Sequence, residues 1–596
     1  MSKKPVYRVF AIVLAILMLA GLLYSAFYSI FHASADGDVT FFPIVTDHMI
    51  RVAKKFKFST IDCRVFSQTL ESTGDLGLNL YSKVDGDPLP ITISPVKILI
   101  TKDKYAHNAA SGLLSAASYD GTTSSYSYSP LCFVSDESYA TADEFSGAVQ
   151  DLPDVVKAMG CYMFVTDTGY RIGAGSGLSE NELAEKETLL SENGVENFKP
   201  YSGSETVLAV LDSQTLDVLF KIETTSLRLY VYPVQPNGGA QTYYLMNEVT
   251  YSYAGDFEYR CDEGGITMIN TLDLEDYVKG ILPYEVDPEW PYESLKTFAI
   301  ILRSYTMGGY YVKHPHDDYD FCDESHCQAY RGLKRANATT AKAVDDTKGM
   351  ICAYEGKPAL TFYHAISGGS TISYNDAWDW SATEYPYLVS VDTPWEPYEK
   401  WSNGLWTTVV SRAELSDYLM AKTKIAKKLK DGIADLTISR YLENGYAYEL
   451  TLTDIYGTKA VYRQSDEVRN ILQRYVKSAL FTVSKKPLET TLVSVNTPDN
   501  SVDLATEDLY VISADENGET SVSKLEDAPS VLSASGTTEI TSEDFAYVIT
   551  GKGWGHGVGI SQYAIDVMVK QGYKYDEIIK AYFPTLDIVN MSDIGL

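Results

Sequence analysis

The residue best suited to acid–base chemistry is Glu285, in the stretch from Leu274 to Tyr330. It follows a strand-like run, Tyr277 to Leu282, and stands in a turn rich in proline and tyrosine. Apolar surroundings can keep a carboxyl protonated near neutral pH, which a general acid requires. The neighbours that could supply such surroundings are Tyr284, Val286 and Trp290. On residue types alone, a surface glutamate near a turn is the simpler interpretation.

Arg303 lies on the helix that the sequence predicts after Glu285. Pro291 opens this helix, because a proline at the first helical position loses no hydrogen bond there. The apolar positions at helical spacing, which form one buried face, are Leu295, Phe298, Ala299 and Leu302. Arg303 falls at the edge of that face. An arginine paired closely with Glu285 would lower the pKa of the carboxyl, so the alternative role is to orient a substrate.

A cysteine and histidine cluster follows the helix, formed by His316, Cys322, His326 and Cys327. Zinc sites usually take four nitrogen or sulfur ligands, and a structural site is closed. The sequence therefore predicts a structural zinc ion, with His314 as the alternative to His316. Two other interpretations stay open: a Cys322–Cys327 disulfide, or two reduced cysteines with histidines at the surface. The seven cysteines are too sparse for a disulfide framework.

Two glycine turns and an aromatic loop could contact a polar ligand. The segment Gly551–Gln562 carries alternating glycines and His556 ahead of a helix that Ser561 can cap. The second turn is Ser367–Ser370. The loop rich in aromatic residues suits stacking on sugar rings and core packing equally, and its members are Trp378, Trp380, Tyr387 and Trp395.

Composition and charge limit the class of protein. The chain has 596 residues, 45% hydrophobic and 22% charged, and a formal net charge of −31. This charge opposes nonspecific binding to nucleic acid. Lys3, Lys4 and Arg8 precede an apolar run from Val9 to about Phe31, long enough to span a bilayer. The positive flank should stay in the cytoplasm, so the bulk of the chain is expected outside it. An uncleaved anchor is favoured over cleavage after Ala33–Ala35.

The order of predicted elements indicates an α+β protein with several domains. We predict a cytoplasmic tail and transmembrane anchor over 1–35 and an extracytoplasmic region without a recognisable site over 36–155. A small α+β domain over 156–225 is predicted next, with strands Tyr162–Thr166 and Tyr170–Ile172 and a helix signalled by Ser179. The final domain covers 226–596 and contains a surface insertion at about 496–543, rich in small polar and acidic residues.

Several motifs in the last predicted domain resemble the stage II sporulation protein D family, the SpoIID/LytB domain. They are LEDYVKGILPYEV, ILRSYT, HCQAYRG, SGGSTISYNDAW, EVRNILQRYVKSALF and GKGWGHGVGISQYA. They occur in family order between about 226 and 590, and the region before about 200 is not covered. The stretch 170–194 faintly resembles the glycan-binding SPOR repeat, although an anonymous α+β scaffold explains it as well.

The resemblance implies a mixed α/β domain with an elongated glycan groove and assigns roles to residues. It implies Glu285 as catalytic acid, Arg303 as essential, and zinc held by the cysteine and histidine cluster. The family usually has Glu-Met-Pro where this chain has Glu285-Val286-Asp287-Pro288, and Glu289 is the nearest alternative acid. The substrate-binding residues expected from the two turns are Ser367, Gly368, Gly369, Gly555, His556, Gly557, Ser561 and Gln562.

The activity that the resemblance implies is a membrane-anchored lytic transglycosylase that cleaves peptidoglycan between N-acetylmuramic acid and N-acetylglucosamine, with sporulation as the implied context. Such an enzyme needs no second carboxylate, because the muramic acid's own 6-hydroxyl attacks and leaves a 1,6-anhydro end. The expected partners are glycan strands stripped of stem peptides by an amidase. The expected location is the cell membrane, with a single span. The alternative function is a non-enzymatic, glycan-binding modulator of a cell-wall amidase.

Overall fold

The computed structural model describes residues 49–54, 64–65, 67–72, 76–82, 88–93, 97–106, 117–118, 128–233, 243–245, 251–262, 265–310, 312–315, 317, 319–324, 326–378, 385–487, 492–496, 501–505, 510–514, 520–524, 530–533, 536–539 and 545–596. The chain divides into two compact units, Met1–Asp273 and Leu274–Leu596. Within the described residues, no helix combines the length and apolarity that crossing a bilayer requires. The anchor predicted from Val9 to about Phe31 lies outside those residues.

The first unit is built on two β-sheets. One sheet contains, in spatial order, Met49–Ala53, Gly265–Asp273, Asp256–Asp262, Leu227–Pro233, Leu76–Ser82 and Pro88–Ile93, with Arg64–Val65 also paired to Gly265–Asp273. The other contains Phe198–Tyr201, Cys132–Ser135, Gly169–Ala174, Cys161–Thr166, Val218–Glu223, Val207–Asp212, Lys97–Lys102, Ser67–Ser72, Tyr243–Leu245 and Tyr251–Tyr253. The remaining elements are the pair Tyr105–Ala106 and Ala117–Ser118, and the helices Ala142–Gln150, Asp154–Lys157 and Glu180–Glu192.

The predicted elements of the region 156–225 are present, but the region is not separate. Ser179 caps the helix Glu180–Glu192 through a capping box with Glu182, as the sequence signal predicts. The second sheet nevertheless joins strands from Ser67–Ser72 to Tyr251–Tyr253. The structure therefore divides the chain at Asp273/Leu274 instead of at the predicted boundaries near 155 and 225.

The second unit mixes helices with small antiparallel sheets. Its helices are Leu274–Glu285, Tyr292–Gly309, Ala338–Asp345, Tyr374–Trp378, Arg412–Met420, Thr423–Ala426, Ser465–Ile471, Gln562–Lys570 and Tyr575–Tyr582, with single 3₁₀ turns at Tyr398–Lys400 and Met591–Ile594. Three-stranded sheets are formed by Lys357–Pro358, Met350–Tyr354 and Asp587–Asn590; by Leu405–Ser411, Phe545–Lys552 and Phe481–Pro487; and by Ile433–Tyr441, Ala447–Asp454 and Lys459–Arg463. Phe321–Cys322 is a further short strand.

One parallel strand pair positions the site. Tyr363–His364 pairs in parallel with Ile560–Ser561, which lies near the end of the glycine segment Gly551–Gln562. The glycine segment therefore lies beside the strand that carries Tyr363, although nearly two hundred residues separate them in sequence.

The run Tyr277–Leu282, predicted as a strand, is part of the helix Leu274–Glu285, named here the glutamate helix. Leu274, Val278 and Ile281 are buried at helical spacing, and Glu275 and Asp276 complement the positive helix N-terminus. Pro283 sits in the last turns, close to where the helix ends. The short apolar run fits a strand as well as a helix, and burial of one helical face decides between them.

The helix with Arg303 is Tyr292–Gly309, named here the arginine helix, and Pro291 precedes it as predicted. In the predicted insertion, the described residues form two-stranded antiparallel pairs. These are Leu492–Asn496 with Ser501–Ala505, Tyr510–Ala514 with Thr520–Lys524, and Ser530–Ser533 with Gly536–Glu539.

Candidate functional site

Glu285 is the last residue of the glutamate helix, and two donors hold its carboxyl. The Ala329 amide donates to Glu285 Oε1 at 2.7 Å, and the Tyr363 hydroxyl donates a second hydrogen bond. Burial raises the pKa of Glu285, while these two hydrogen bonds lower it in part. A carboxyl with a raised pKa keeps its proton at higher pH, as a general acid must.

Tyr363 is a site residue that the sequence reasoning missed. It packs against Phe298, with ring centroids 5.1 Å apart, and against Tyr305 at 5.7 Å. This packing fixes the direction in which its hydroxyl meets Glu285. Its position in the sequence does not reveal a partner so far away along the chain.

A cleft of about 390 Å³ opens beside Glu285. Its lining residues are Tyr284, Glu285, Val286, Asp287, Trp290, Arg335, Gln562 and Tyr563. The rings of Trp290 and Tyr563 lie 6.1 Å apart, and Trp401 lies 5.4 Å from Tyr563. The cleft thus combines two carboxyl residues, Glu285 and Asp287, with aromatic surfaces and polar groups, a common composition for a ligand site.

Gln562 connects the glycine segment to this cleft. Its Nε2 donates to the backbone oxygen of Glu285 at 2.9 Å. Of the residues expected in the two glycine turns, Gln562 alone is among those lining the cleft in the described structure. It therefore fixes the backbone from which the acid projects.

His556 lies in a different environment from the one expected. Its Nδ1 accepts a hydrogen bond from the Val558 amide at 3.0 Å, and its ring lies 5.0 Å from the Trp378 ring. Burial lowers the pKa of His556 to about 3, so the imidazole is neutral near pH 7. The structure packs His556 among rings, and His556 is not among the residues that line the cleft, where the expected substrate contact would lie.

The Ser367 turn is organised by a buried carboxylate, Glu396. The amides of Ser367 and Gly368 donate to its two oxygens at 3.0 Å each. The Ser561 hydroxyl donates to Glu396 Oε1 at 2.6 Å. Ser367 and Ser561 are fully or almost fully buried, so they are positioned to hold the turns together and not to contact a ligand in this conformation. No sequence motif singled out Glu396.

The two turns require glycines because neighbouring atoms approach their backbone too closely for a Cβ. Gly368 has φ +78°, and a Cβ there would meet the Gly553 amide at 2.9 Å. Gly557 has φ +82°, and a Cβ there would meet the Tyr446 hydroxyl. Gly369 and Gly555 also have positive φ. These positions pack the turns against each other, which explains the glycines without a ligand.

Arg303 is enclosed and pairs with Glu275, not with Glu285. Its Nε and Nη2 donate to the two oxygens of Glu275 at 2.9 and 2.6 Å. Its Nη1 donates to the Met350 oxygen at 3.0 Å. The residue is 0% exposed, so it ties the two helices and the following strand together. This placement gives Arg303 a positioning role in place of the expected catalytic one.

The cysteine and histidine cluster forms, with His314 as its first member. One ligand atom from each of His314, Cys322, His326 and Cys327 lies within 4.8 Å of the others. The His314 Nε2–Cys327 Sγ distance is 3.2 Å, and His326 Nδ1 lies 3.4 Å from Cys327 Sγ and 3.8 Å from Cys322 Sγ. His316 lies outside the described residues. Cys322 and Cys327 are both free.

These separations suit a zinc ion. Zinc–sulfur and zinc–nitrogen bonds of about 2.3 and 2.1 Å in a tetrahedron put neighbouring ligand atoms about 3.5 Å apart. His314 Nδ1 contacts Asp317 at 2.8 Å, the carboxylate contact that orients many ligating histidines. The four residues fit a closed tetrahedral site.

Residues 262–354 match the family model of stage II sporulation protein, SpoIID. An uncharacterised protein of Brachyspira hyodysenteriae is 27% identical over 330 residues, which cover 55% of this chain and 70% of that protein. The stage II sporulation protein D of Bacillus amyloliquefaciens is 24% identical over 54% of this chain and 75% of its own length. A protein of Bacillus subtilis named amidase enhancer is 23% identical over 52% of this chain, and the match spans 39% of that relative.

Proposed function

Starting from a chain that belongs to the SpoIID family, we propose that its second unit is a lytic transglycosylase of peptidoglycan with Glu285 as the catalytic acid. The observation that carries the proposal is the Glu285 carboxyl itself. It has a raised pKa, is held by Ala329 and Tyr363, and faces a cleft with aromatic walls. An uncharged sugar ring can lie against such walls while its glycosidic oxygen meets the acid.

In the proposed reaction, Glu285 donates its proton to the oxygen between N-acetylmuramic acid and N-acetylglucosamine. The C1–O bond breaks, and its electron pair stays on that oxygen, which leaves as the 4-hydroxyl of N-acetylglucosamine. The Glu285 carboxylate then takes the proton of the muramic acid 6-hydroxyl as this oxygen bonds to C1. The carboxyl is restored, no water is consumed, and one group acts as acid and then as base.

The test uses glycan strands freed of stem peptides. Glu285→Gln keeps the shape of the side chain and removes the proton, so new anhydro-muramyl ends should form about 10²–10⁴-fold more slowly. Glu289→Gln tests the acid that the sequence offers as the alternative, and Asp287→Asn tests the other carboxyl that lines the cleft. An unchanged rate for Glu285→Gln would remove Glu285 from the chemistry, and a loss confined to Glu289→Gln would transfer the role.

A second function is favoured by one comparison. A relative carries the name amidase enhancer, so the chain would bind glycan and stimulate a cell-wall amidase without cleaving glycan itself. Adding the Glu285→Gln protein to an amidase and measuring stem-peptide release separates the two functions. Undiminished stimulation by this variant, with no anhydro ends from the unmodified protein, would favour the enhancer.

We also propose that the cysteine and histidine cluster binds zinc with a structural role. All four tetrahedral positions are filled by protein, so the ion has no open position for water and contributes to folding. Zinc analysis of protein purified without added metal should give one ion per chain, and a chelator should lower the unfolding temperature. Substoichiometric zinc together with loss of both thiols on titration would support the Cys322–Cys327 disulfide.

The predicted cellular location is part of the proposal. The apolar run Val9 to about Phe31 would anchor the chain in the cell membrane, with the bulk of the chain after it on the outer side. Membrane fractionation of the full chain, followed by protease treatment of intact cells, checks this. Recovery in the soluble cytoplasmic fraction would contradict it. The names of the Bacillus relatives make sporulation the context to examine.

A further inference from the structure

A second cavity in the second unit has a volume of about 390 Å³ and shares no lining residue with the Glu285 cleft. Its wall is formed by the end of the short helix Tyr374–Trp378, by the Thr423–Ala426 segment and by the helix Ser465–Ile471. The residues that carry the argument are Trp378, Lys422, Gln464, Asp466, Asn470 and Ile471.

Trp378 is held rigidly at the edge of this cavity. Its indole Nε1 donates to Asp466 Oδ2 at 3.0 Å. Asp466 is almost buried and also accepts from Arg469 Nε at 2.7 Å and Asn470 Nδ2 at 3.0 Å. A ring fixed before a ligand arrives loses little conformational entropy on binding, which favours affinity.

Packing from behind supports the same indole. Its ring centroid lies 5.0 Å from that of Phe362, 5.0 Å from His556 and 5.2 Å from Tyr374. Since His556 has a lowered pKa, the ring beside Trp378 is neutral. His556 therefore supports the aromatic wall of the second cavity and does not line the Glu285 cleft.

The chemistry of the cavity favours an uncharged, polar ring. Lys424 pairs with Glu467, and Asp466 pairs with Arg469, so these charges are compensated. The Lys422 ammonium donates to the backbone oxygen of Asn470 at 3.3 Å. The wall also presents an indole, the apolar side chain of Ile471, the amide of Gln464, the second amide hydrogen of Asn470, and the remaining hydrogens of the Lys422 ammonium, which packs on the Tyr418 ring. Hydroxyl and acetamido groups pair with such donors, while the apolar face of a sugar ring packs on an indole.

The two sites are linked through consecutive residues. Tyr363 donates to Glu285, while its neighbour Phe362 packs against Trp378. On this basis we infer that the second cavity is a separate binding site for an N-acetylated amino sugar of the glycan. The inference rests on the proposed function for the identity of the polymer, and it adds a site that holds the strand away from the bond being cleaved.

The test uses Glu285→Gln protein, which cannot consume the probe, with labelled isoleucine methyl groups. The probe is an oligomer of N-acetylglucosamine. Ile425 and Ile471 line the second cavity, and no isoleucine lines the Glu285 cleft in the described structure. Their methyl signals should therefore shift in a saturable manner as the oligomer is added, which reports occupancy of this cavity directly.

Two variants and a control decide the role of the named groups. Trp378→Leu should weaken the binding seen at Ile425 and Ile471 about tenfold, or about 1.4 kcal/mol. Lys422→Met should weaken it less and keeps the fold measurable if Trp378→Leu does not fold. Lys428→Met is the matched control, because Lys428 packs on the Tyr462 ring outside the cavity, and it should bind like the parent.

Absence of saturable shifts, or parental affinity in Lys422→Met and in folded Trp378→Leu, would overturn the inference. The fate of the proposed function is read separately, from anhydro ends released by protein with Glu285 intact. Binding without cleavage would remove the lyase and keep the second site. Cleavage without shifts at Ile425 and Ile471 would keep the lyase and remove the second site.

Discussion

Two glutamates of the second unit, Glu285 and Glu396, are held in contrasting ways. Glu285 is half-buried beside a cleft and has one amide and one phenol as donors. Glu396 is 4% exposed, and both its oxygens accept from backbone amides of the Ser367 turn. It also accepts from the hydroxyls of Ser561 at 2.6 Å and Thr393 at 3.3 Å.

The difference separates a carboxyl available for proton transfer from one used to build the fold. Four hydrogen-bond donors occupy the lone pairs of the Glu396 carboxyl and leave it little room for a ligand. Burial raises the pKa of Glu285, its two donors offset only part of that rise, and its place in the cleft lining leaves it accessible to a ligand. The comparison therefore predicts that substituting Glu285 changes the rate, whereas substituting Glu396 changes the stability.

The largest effect is expected for the rate of Glu285→Gln, about 10²–10⁴-fold lower. Its free energy of unfolding should change little, because glutamine keeps the volume and can still accept from Ala329. Chemical denaturation beside the cleavage assay measures both. Strong destabilisation with an unchanged rate per folded molecule would reverse the comparison.

The next effect concerns Glu275, a structural glutamate paired with Arg303. Glu275→Gln leaves the enclosed guanidinium without its counter-charge, so the free energy of unfolding should fall by about 3–5 kcal/mol. Arg303→Met with Glu275→Met should be less destabilised than either single change, since no unpaired charge stays buried. Denaturant unfolding of the three variants checks this. A double variant as unstable as the sum of the singles would contradict the positioning role.

Glu396→Gln should have a smaller cost, about 1–3 kcal/mol, because an amide NH2 donor replaces one of the two accepting oxygens while the turn backbone stays in place. Cleavage by the folded fraction should decrease less than in Glu285→Gln. Thermal unfolding measures the stability of the variant, and the cleavage rate per folded molecule measures its activity. A normal unfolding temperature combined with a Glu285-like loss of rate would assign Glu396 to the chemistry.

The smallest effect is expected for Tyr363→Phe, and it lies in the pH profile. The acid form of Glu285 is the active one, so the rate falls as pH rises through its raised pKa. Because the Tyr363 hydroxyl lowers that pKa, its removal should move the falling limb to higher pH. If the falling limb stays in place or moves to lower pH, Tyr363 does not lower the pKa of Glu285.

The raised pKa of Glu285 also makes the free energy of unfolding depend on pH. Glu285 has a higher pKa in the folded chain than in the unfolded chain, so its protonated form favours folding. This contribution is complete below the unfolded pKa and is lost as pH rises through the folded pKa. Glu285→Gln should flatten that part of the stability curve.

Local patterns in the sequence predicted the parts of the site that are close along the chain. The cysteines and histidines within one short segment were found in this way, whereas the role of Glu285 rested on the family resemblance, because residue type and turn alone favoured a surface glutamate. Spacing alone could not choose between His314 and His316, and the structure gathers His314. The helical state of Tyr277–Leu282 depends on tertiary burial of one face, which a short apolar run does not reveal.

Long-range partners were the main part that sequence could not supply. Tyr363 reaches Glu285 because a parallel strand pair aligns it with the glycine segment. Glu396 acts through backbone amides, which carry no sequence signature. The neutral, packed state of His556 follows from burial among rings that are distant in sequence. A glycine motif indicated a tight turn but not what the turn contacts.

The most direct test of the central claim is the source of the oxygen in the cleaved product. Peptide-free glycan strands are digested by the unmodified protein in water labelled with heavy oxygen, and the new muramyl ends are weighed by mass spectrometry. Attack by the 6-hydroxyl predicts anhydro ends without label. Reducing ends that carry one labelled oxygen would show hydrolysis by water and contradict the account, as would the absence of any new ends.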